Sequence, residues 1–326
     1  MSDAALVILT EDDCRALVGR ADAFRAVEDV FAAMSRGDAY NFPVIREAIG
    51  HADALYGFKS GFDRAGMALG VKSGGYWPGN MAKGLTNHQS TVFLFDPDTG
   101  RLQALVGGNH LTALRTAAAS AVSIAHLARK DAKVLGMVGA GHQAQFQLRA
   151  AVEQRAFEKV VAWNYHPDML PKLGEVAAEL GLPFEAVDRE TLGAQADVII
   201  TIASANSALM MKDWVKPGVH LACMGTDTKG KQEVDPALLA AATVFTDEVA
   251  QSVTIGEAQH AVAAGLIAES AITPIGDVIT GEHKGRTSED EITLFDGTGV
   301  GLQDLAIAKA ALRLAEEAGK GTRVTL

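Results

Sequence analysis

The sequence predicts an α/β protein, with a doubly wound parallel sheet inserted into an α+β domain. Three observations predict it. At Lys133–Ala144 a hydrophobic run passes through a glycine turn straight into an amphipathic helix. From Lys133 to about Phe245, strand-like and helix-like runs alternate. The stretch before them, Ala54 to Val106, instead carries short β-like runs joined by tight turns.

Along the chain, Glu11 to Arg36 has helical spacing, with Val18, Ala21, Phe24, Val27, Val30, Phe31 and Met34 as the apolar stripe. Acidic Glu11, Asp12 and Asp13 suit its start. Strands are expected at Leu55–Phe58, Ala68–Ser73, Ser90–Asp96 and Leu102–Val106, with Asp96-Pro-Asp-Thr-Gly100 as a hairpin turn. An Ala-rich helix, Thr112–Leu127, follows. The parallel sheet draws strands from 133–138, 159–163, 197–202, 219–224 and 243–246, with helices at Gln143–Gln154, Pro167–Leu180 and Pro236–Ala241. A last helix, Leu302–Ala318, follows the glycine-rich turn Gly297-Thr-Gly-Val-Gly301 and is expected to return to the first domain. This gives residues 1–120 plus 302–326 as one domain and 121–301 as a Rossmann-type domain.

With 326 residues, 48% hydrophobic and 21% charged, the chain has the composition of a globular protein with a sizeable core. No apolar run reaches the roughly 18 to 20 residues of a membrane span. No basic flank and apolar core mark a signal peptide, so a cytoplasmic location is expected. Cys14 and Cys223 are too few for a disulfide framework or a closed zinc site. The formal net charge of −11 argues against nucleic acid or an anionic membrane as partner. Any anionic small molecule must therefore meet positive charge locally.

The glycine turn supplies one anion site. Gly139 permits the tight turn, Gly141 lets the backbone approach a pyrophosphate, and Ala144 fills the third small position of G-x-G-x-x-A. Asn164, ending the second strand of that unit, is placed to bond a ribose diol, and no arginine cluster follows it, which favours NADH over NADPH. His142 lies beside the turn and suits cofactor contact better than proton transfer.

Outside that unit the candidates are Arg46, Lys72, His88 and Arg115. Lys72 closes an otherwise apolar strand, where a charge is costly to bury unpaired. A solvated strand end is the alternative. Asp227, in Met224-Gly-Thr-Asp-Thr-Lys-Gly-Lys231, follows a parallel strand at its carboxyl end, where it can pair with Lys72, orient a water or simply cap a loop. His88 can donate to a substrate or satisfy a neighbouring strand.

These segments together resemble the ornithine cyclodeaminase and μ-crystallin family over essentially the whole chain. The matching stretches are Gly70-Val-Lys72, Pro78-Gly-Asn80, Phe93-Leu-Phe-Asp96, Leu111-Thr-Ala-Leu-Arg-Thr-Ala117, Gly139-Ala-Gly-His-Gln-Ala144, Lys216-Pro-Gly218, Asp235-Pro236 and Thr293-Leu-Phe295 before Asp304-Leu305. The resemblance implies a homodimer, with the N-terminal part and last helix forming a substrate-binding and dimerisation domain. It places substrate contacts on Arg46, Lys72 and Arg115, and the catalytic acidic residue on Asp227, with Lys231 close behind. It places cofactor contacts on Thr116, Gly139, Gly141, His142, Gln143, Ala144, Asn164, Lys231 and Thr298. Other members often have Pro before Gly225, and that departure points away from ornithine.

A further set of stretches, among them Tyr40-Asn-Phe-Pro43, Ala54-Leu-Tyr-Gly-Phe-Lys59, Gly74-Gly-Tyr-Trp-Pro78 and Met224-Gly-Thr-Asp-Thr-Lys-Gly-Lys231, is similar to members that reduce iminosuccinate to L-aspartate. The expected reaction is therefore NADH-dependent reduction of an imine with two carboxylates. On that reading Arg46, Lys72 and Arg115 meet substrate and His88 takes the distal carboxylate. The alternatives are a lyase of the ornithine cyclodeaminase kind, a reductase of alanine-type or cyclic imines, and a nucleotide-binding protein like μ-crystallin.

Overall fold

The computed structural model describes residues 6–325. The chain divides into two compact units, one running to Arg115 and resuming at Val300, the other Thr116–Gly299. Elements are numbered along the chain.

The first unit begins with β1 (Leu6–Leu9), α1 (Glu11–Leu17) and α2 (Arg20–Ser35). The single helix expected over Glu11–Arg36 is thus two. Thr10 caps α1 by accepting from the Asp13 amide at 3.1 Å, while the Gly19 amide donates to Asp22 at 3.0 Å. A second start signal inside one apolar stripe breaks the helix at Val18–Gly19. Next come β2 (Ala39–Asn41), β3 (Ile45–Ala48), β4 (Leu55–Asp63), β5 (Ala68–Tyr76), β6 (His88–Phe95), β7 (Leu102–Gly107) and α3 (Asn109–Leu127), which carries the chain out of this unit. The strands form a sheet ordered β18-β1-β7-β6-β5-β4-β2, with β3 also on β4, where β18 is Thr322–Val324. The last helix, α11 (Gly301–Ala318), lies against α2, β4 and β5 and buries Leu302, Leu305, Ala308, Leu312 and Ala315.

The second unit holds β8 (Val134–Val138), α4 (Ala144–Ala151), β9 (Lys159–Trp163), α5 (Leu170–Glu179), β10 (Phe184–Ala186), α6 (Arg189–Gln195), β11 (Val198–Thr201) and β12 (Asn206–Met210). It continues with β13 (His220–Cys223), β14 (Gln232–Val234), α7 (Pro236–Ala241), β15 (Thr243–Thr246), α8 (Val249–Ser252), α9 (Gln259–Ala263), β16 (Thr273–Pro274), α10 (Ile275–Thr280) and β17 (Thr293–Asp296). Eight parallel strands run in the order β10-β9-β8-β11-β13-β17-β15-β16, and β12 pairs β14 apart from them. This is the doubly wound sheet that the sequence predicts. Its core includes Val138, Val161, Ile199, Leu221, Val244 and Leu294. Strand β17 lies in the middle of the sheet, between β13 and β15, although the sequence reading assigned no strand there. Its run is only Thr-Leu-Phe-Asp and ends in a buried acid, so periodicity alone gives it little weight.

Both thiols are inside. Cys14 is fully buried and donates to the Gly107 carbonyl at 3.6 Å, and burial pushes its pKa up to about 12. Cys223 is fully buried on β13, and burial raises its thiol well above the ordinary range.

Candidate active site

In the first unit, strand register decides which side chains share a face, because directly paired residues point to the same side and alternate residues return to it. Arg46 pairs Gly57, Gly57 pairs Gly74, Lys59 pairs Lys72 and Tyr76 pairs His88. Arg46, Lys59, Lys72 and His88 therefore belong to one face of the sheet. Lys72 is mid-strand, not at a strand end, and only 7% exposed. The solvated alternative is thereby removed.

The carboxylate in contact with Lys72 is Asp304, in the first turn of α11. Its Oδ2 lies 2.5 Å from Lys72 Nζ, and its Oδ1 accepts from Arg115 Nε at 3.0 Å. Arg115 Nη1 also donates to Gln303 Oε1 at 3.1 Å. Burial works against an Asp304 anion, but Arg115 and Lys72 hold its pKa down to about 2. Lys72 is lowered to about 7, first by burial, with Asp304 opposing and Arg115 and Lys59 adding repulsion. His88 is lowered to about 3 by burial and by the charges of Lys72 and Arg115. It is a neutral imidazole here, able to donate one hydrogen bond but carrying no charge for a carboxylate.

In the second unit the loops that leave β8, β11, β13, β15 and β17 gather at the carboxyl edge of the sheet, where open α/β sheets bind ligands. Gly139 follows β8 with φ of +116°, and a Cβ there would come within 2.8 Å of the Ile202 carbonyl group. The turn requires glycine. A Cβ on Gly141 would meet nothing within 4 Å, so the turn is open on the side that an anion would occupy. Ala144 is buried and begins α4; just before it, Gln143 Oε1 has no hydrogen-bond partner. These residues fit a dinucleotide pyrophosphate. His142 is exposed beside the turn, its ring 5.4 Å from Phe146.

Asn164 Oδ1 accepts from the Ala140 amide at 3.0 Å and its Nδ2 donates to the His166 carbonyl at 2.8 Å. The side chain is a strut between the glycine turn and the loop after β9. Asp227 Oδ1 lies 2.7 Å from Lys231 Nζ within its own loop. Thr298 is buried, and its hydroxyl donates to Asp247 Oδ1 at 2.6 Å. The Gly299 amide donates to the other oxygen at 2.7 Å, so Asp247 fixes the loop after β17. Thr116 is buried on α3.

Sequence reasoning missed Lys59, Asp304 and Asp247. Lys59 had a signal, being a charge on the alternating face of a β run; so had Asp304, an acid on the buried stripe of an apolar helix.

The family model described as the ornithine cyclodeaminase/mu-crystallin family matches residues 6–318. The chain is 61% identical over 321 residues to iminosuccinate reductase of Paracoccus denitrificans, covering 98% of this chain and 100% of that one. The crystal structure of that enzyme in complex with NAD+ superposes with a TM-score of 0.96, covering 99% of this chain and all of the other. An archaeal alanine dehydrogenase dimer with bound NAD, 30% identical, gives a TM-score of 0.92 over 98% of this chain and 99% of its own. With a Rossmann-type sheet ending in a glycine turn and a family match over nearly its whole length, the chain belongs to the ornithine cyclodeaminase/μ-crystallin family.

Proposed function

We propose that the protein is an oxidoreductase that uses NADH to reduce iminosuccinate to L-aspartate. The observation that carries this reading is the face bearing Arg46, Lys59 and Lys72, with Arg115 joined to Lys72 through Asp304. In a chain of net charge −11, such a concentration of cations suits a substrate with two carboxylates. Ornithine carries a distal ammonium, which Lys59 would repel. The identity to an iminosuccinate reductase supports the same substrate.

Bound NADH would supply a hydride to the imine carbon, and the nitrogen takes a proton to give the amine. Gly139, Gly141 and Ala144 would hold its pyrophosphate. The arginines and Lys59 bind and orient the carboxylates, and neutral His88 donates a single hydrogen bond. Lys72, lowered to about 7, is matched to proton transfer near neutral pH. To Asp227, whose Oδ1 lies 2.7 Å from Lys231 Nζ, we assign the role of favouring the protonated imine nitrogen, directly or through a water.

We further infer a homodimer acting in the cytoplasm. Tyr40 on β2, Phe42 just after it, Ile45 on β3 and Phe58 on β4 are large exposed apolar side chains, a surface suited to a second copy. No helix among the described residues is long and apolar enough to cross a membrane. The test is NADH oxidation with oxaloacetate plus ammonia, against pyruvate plus ammonia. Loss of the second carboxylate should lower kcat/KM about 100-fold; equal rates would overturn the dicarboxylate reading.

A further inference from the structure

Behind the Asp227 loop lies a group of buried carboxyls that the proposed reaction does not use. Glu233, on β14, is fully buried and surrounded by donors. Its Oε1 accepts from the amides of Ala203 and Ser204, and its Oε2 from the Gly225 amide at 3.0 Å and the Thr201 hydroxyl at 2.6 Å. A side chain ringed by backbone N–H groups is an anion acceptor. It ties the loop after β11 to the start of the loop after β13. A Cβ at Gly225 would come within 2.1 Å of Glu233 Oε1, so the approach requires glycine.

Glu257, between α8 and α9, has a different pattern. Its Oε1 accepts from the amides of Glu233 at 2.8 Å and Val234 at 2.7 Å, while Oε2 lies 2.5 Å from the Thr226 hydroxyl. Three donors meet Glu257 where four meet Glu233, and a second buried anion beside Glu233 is costly, which favours a proton kept on Oε2 and shared with the Thr226 hydroxyl. The titratable groups that face it are two carboxyls and a thiol: Glu233 on β14, Asp296 on β17 and Cys223 on β13. Burial first, and then Glu233, push its pKa up to about 8. Two residues on, Gln259 accepts from the Gly230 amide at 2.8 Å and donates to the Lys231 carbonyl at 3.3 Å, and the His260 ring meets that carbonyl at 2.9 Å. Asp227 therefore sits in a loop held at both ends by one short segment, residues 257–260.

We propose that Glu233 and Glu257 are positioning residues for the Asp227–Lys231 pair, Glu233 as the anion that gathers the backbone and Glu257 as a carboxylic acid that donates to Thr226. This rests on the role proposed for Asp227. Ionisation of Glu257 would remove the donor to Thr226 and set a second anion beside Glu233, loosening the loop at alkaline pH.

The two glutamates answer differently to the same change. Glu257→Gln keeps a carbonyl for two amides and an N–H for Thr226, so kcat should stay within about threefold of wild type. The alkaline fall in kcat that Glu257 contributes near pH 8 should vanish in this variant. Glu233→Gln turns an NH2 group toward donors and should lower kcat about 100-fold, with the Kd for NADH, by fluorescence titration, within about threefold. Loss of activity in E257Q, an unchanged alkaline limb, or a near-wild-type E233Q would each overturn the proposal.

An independent readout is stability against pH. Above its ordinary 4.5 and up to about 8, folded Glu257 keeps a proton that the unfolded chain has released. Its contribution to stability therefore declines as pH rises through that window. Denaturant unfolding of E257Q should lack this part of the decline, and an unchanged slope would also overturn the assignment. Should the wild type not reduce iminosuccinate at all, the substrate reading fails while the stability slope still decides the state of Glu257.

Discussion

The two units bury charge in opposite ways. Around Lys72 in the first, a carboxylate is held ionised by two cations on which it is the shared partner. Around Glu233 in the second, carboxyls meet backbone amides and hydroxyls, and Glu257 and Asp296 are pushed up to about 8 and about 7, chiefly by burial. The difference follows from what each cluster faces. On the proposed function the first cluster receives an anion, and it is built from cations with Asp304 fixing their geometry. A group that must shape a loop needs directed acceptors, and a retained proton avoids the cost of another buried anion.

The strongest way to break this comparison is to remove Asp304. Asp304→Ala leaves Lys72 and Arg115 buried without their shared carboxylate, which should cost about 3 to 5 kcal/mol in denaturant unfolding and abolish measurable NADH oxidation. A loss under about 1 kcal/mol would show that the cations do not depend on it. Lys72→Ala should likewise end turnover while leaving NADH affinity within a few-fold; equal loss of both would mean that Lys72 serves the cofactor.

Lys59 sharpens the substrate side. Lys59→Ala should lower kcat/KM for the dicarboxylic imine about 30-fold and for a monocarboxylic one under threefold. It should also move the pKa of Lys72 upward, since Lys59 is one of the charges depressing it. An alkaline limb that stays in place would separate the two lysines functionally.

The clusters should also give stability slopes of opposite sign. Folded Lys72 has released its proton above about 7, while the unfolded chain keeps it up to 10.5, so this lysine's contribution rises with pH across that interval. The glutamate slope runs downward and is complete near 8. Denaturation from neutral to alkaline pH, comparing wild type with Lys72→Met, should isolate the rising limb. The smallest effect is expected at Asn164, where Ala removes only the strut: KM for NADH should rise about tenfold, with kcat within about twofold.

The sequence made the parallel sheet legible because its βαβ rhythm is local, and the glycine turn because φ and close approach restrict residue type at Gly139. It marked Lys72 because a charge in an apolar run is conspicuous. What it concealed depends on contacts across long separations. Asp304 reads as one acid in an Ala-rich helix until α11 is laid on β5, and Lys59 becomes Lys72's neighbour only through the β4–β5 register. Asn164 was read by its position at a strand end; its two hydrogen bonds, to Ala140 and His166, are settled by loop geometry that the residue type does not encode. The β17 strand was lost because four residues carry too little periodicity, although the acid that ends it, Asp296, is buried.

The two enclosed sulfurs carry a practical consequence. Cys14 lies in the first unit and Cys223 at the centre of the second, each fully buried and with little thiolate character. In the native protein both thiols should ignore maleimides and peroxides, so assays need no added thiol reductant. Each sulfur becomes reactive only when its own unit opens, which makes labelling of the two positions a separate clock for the loosening of each half of the chain.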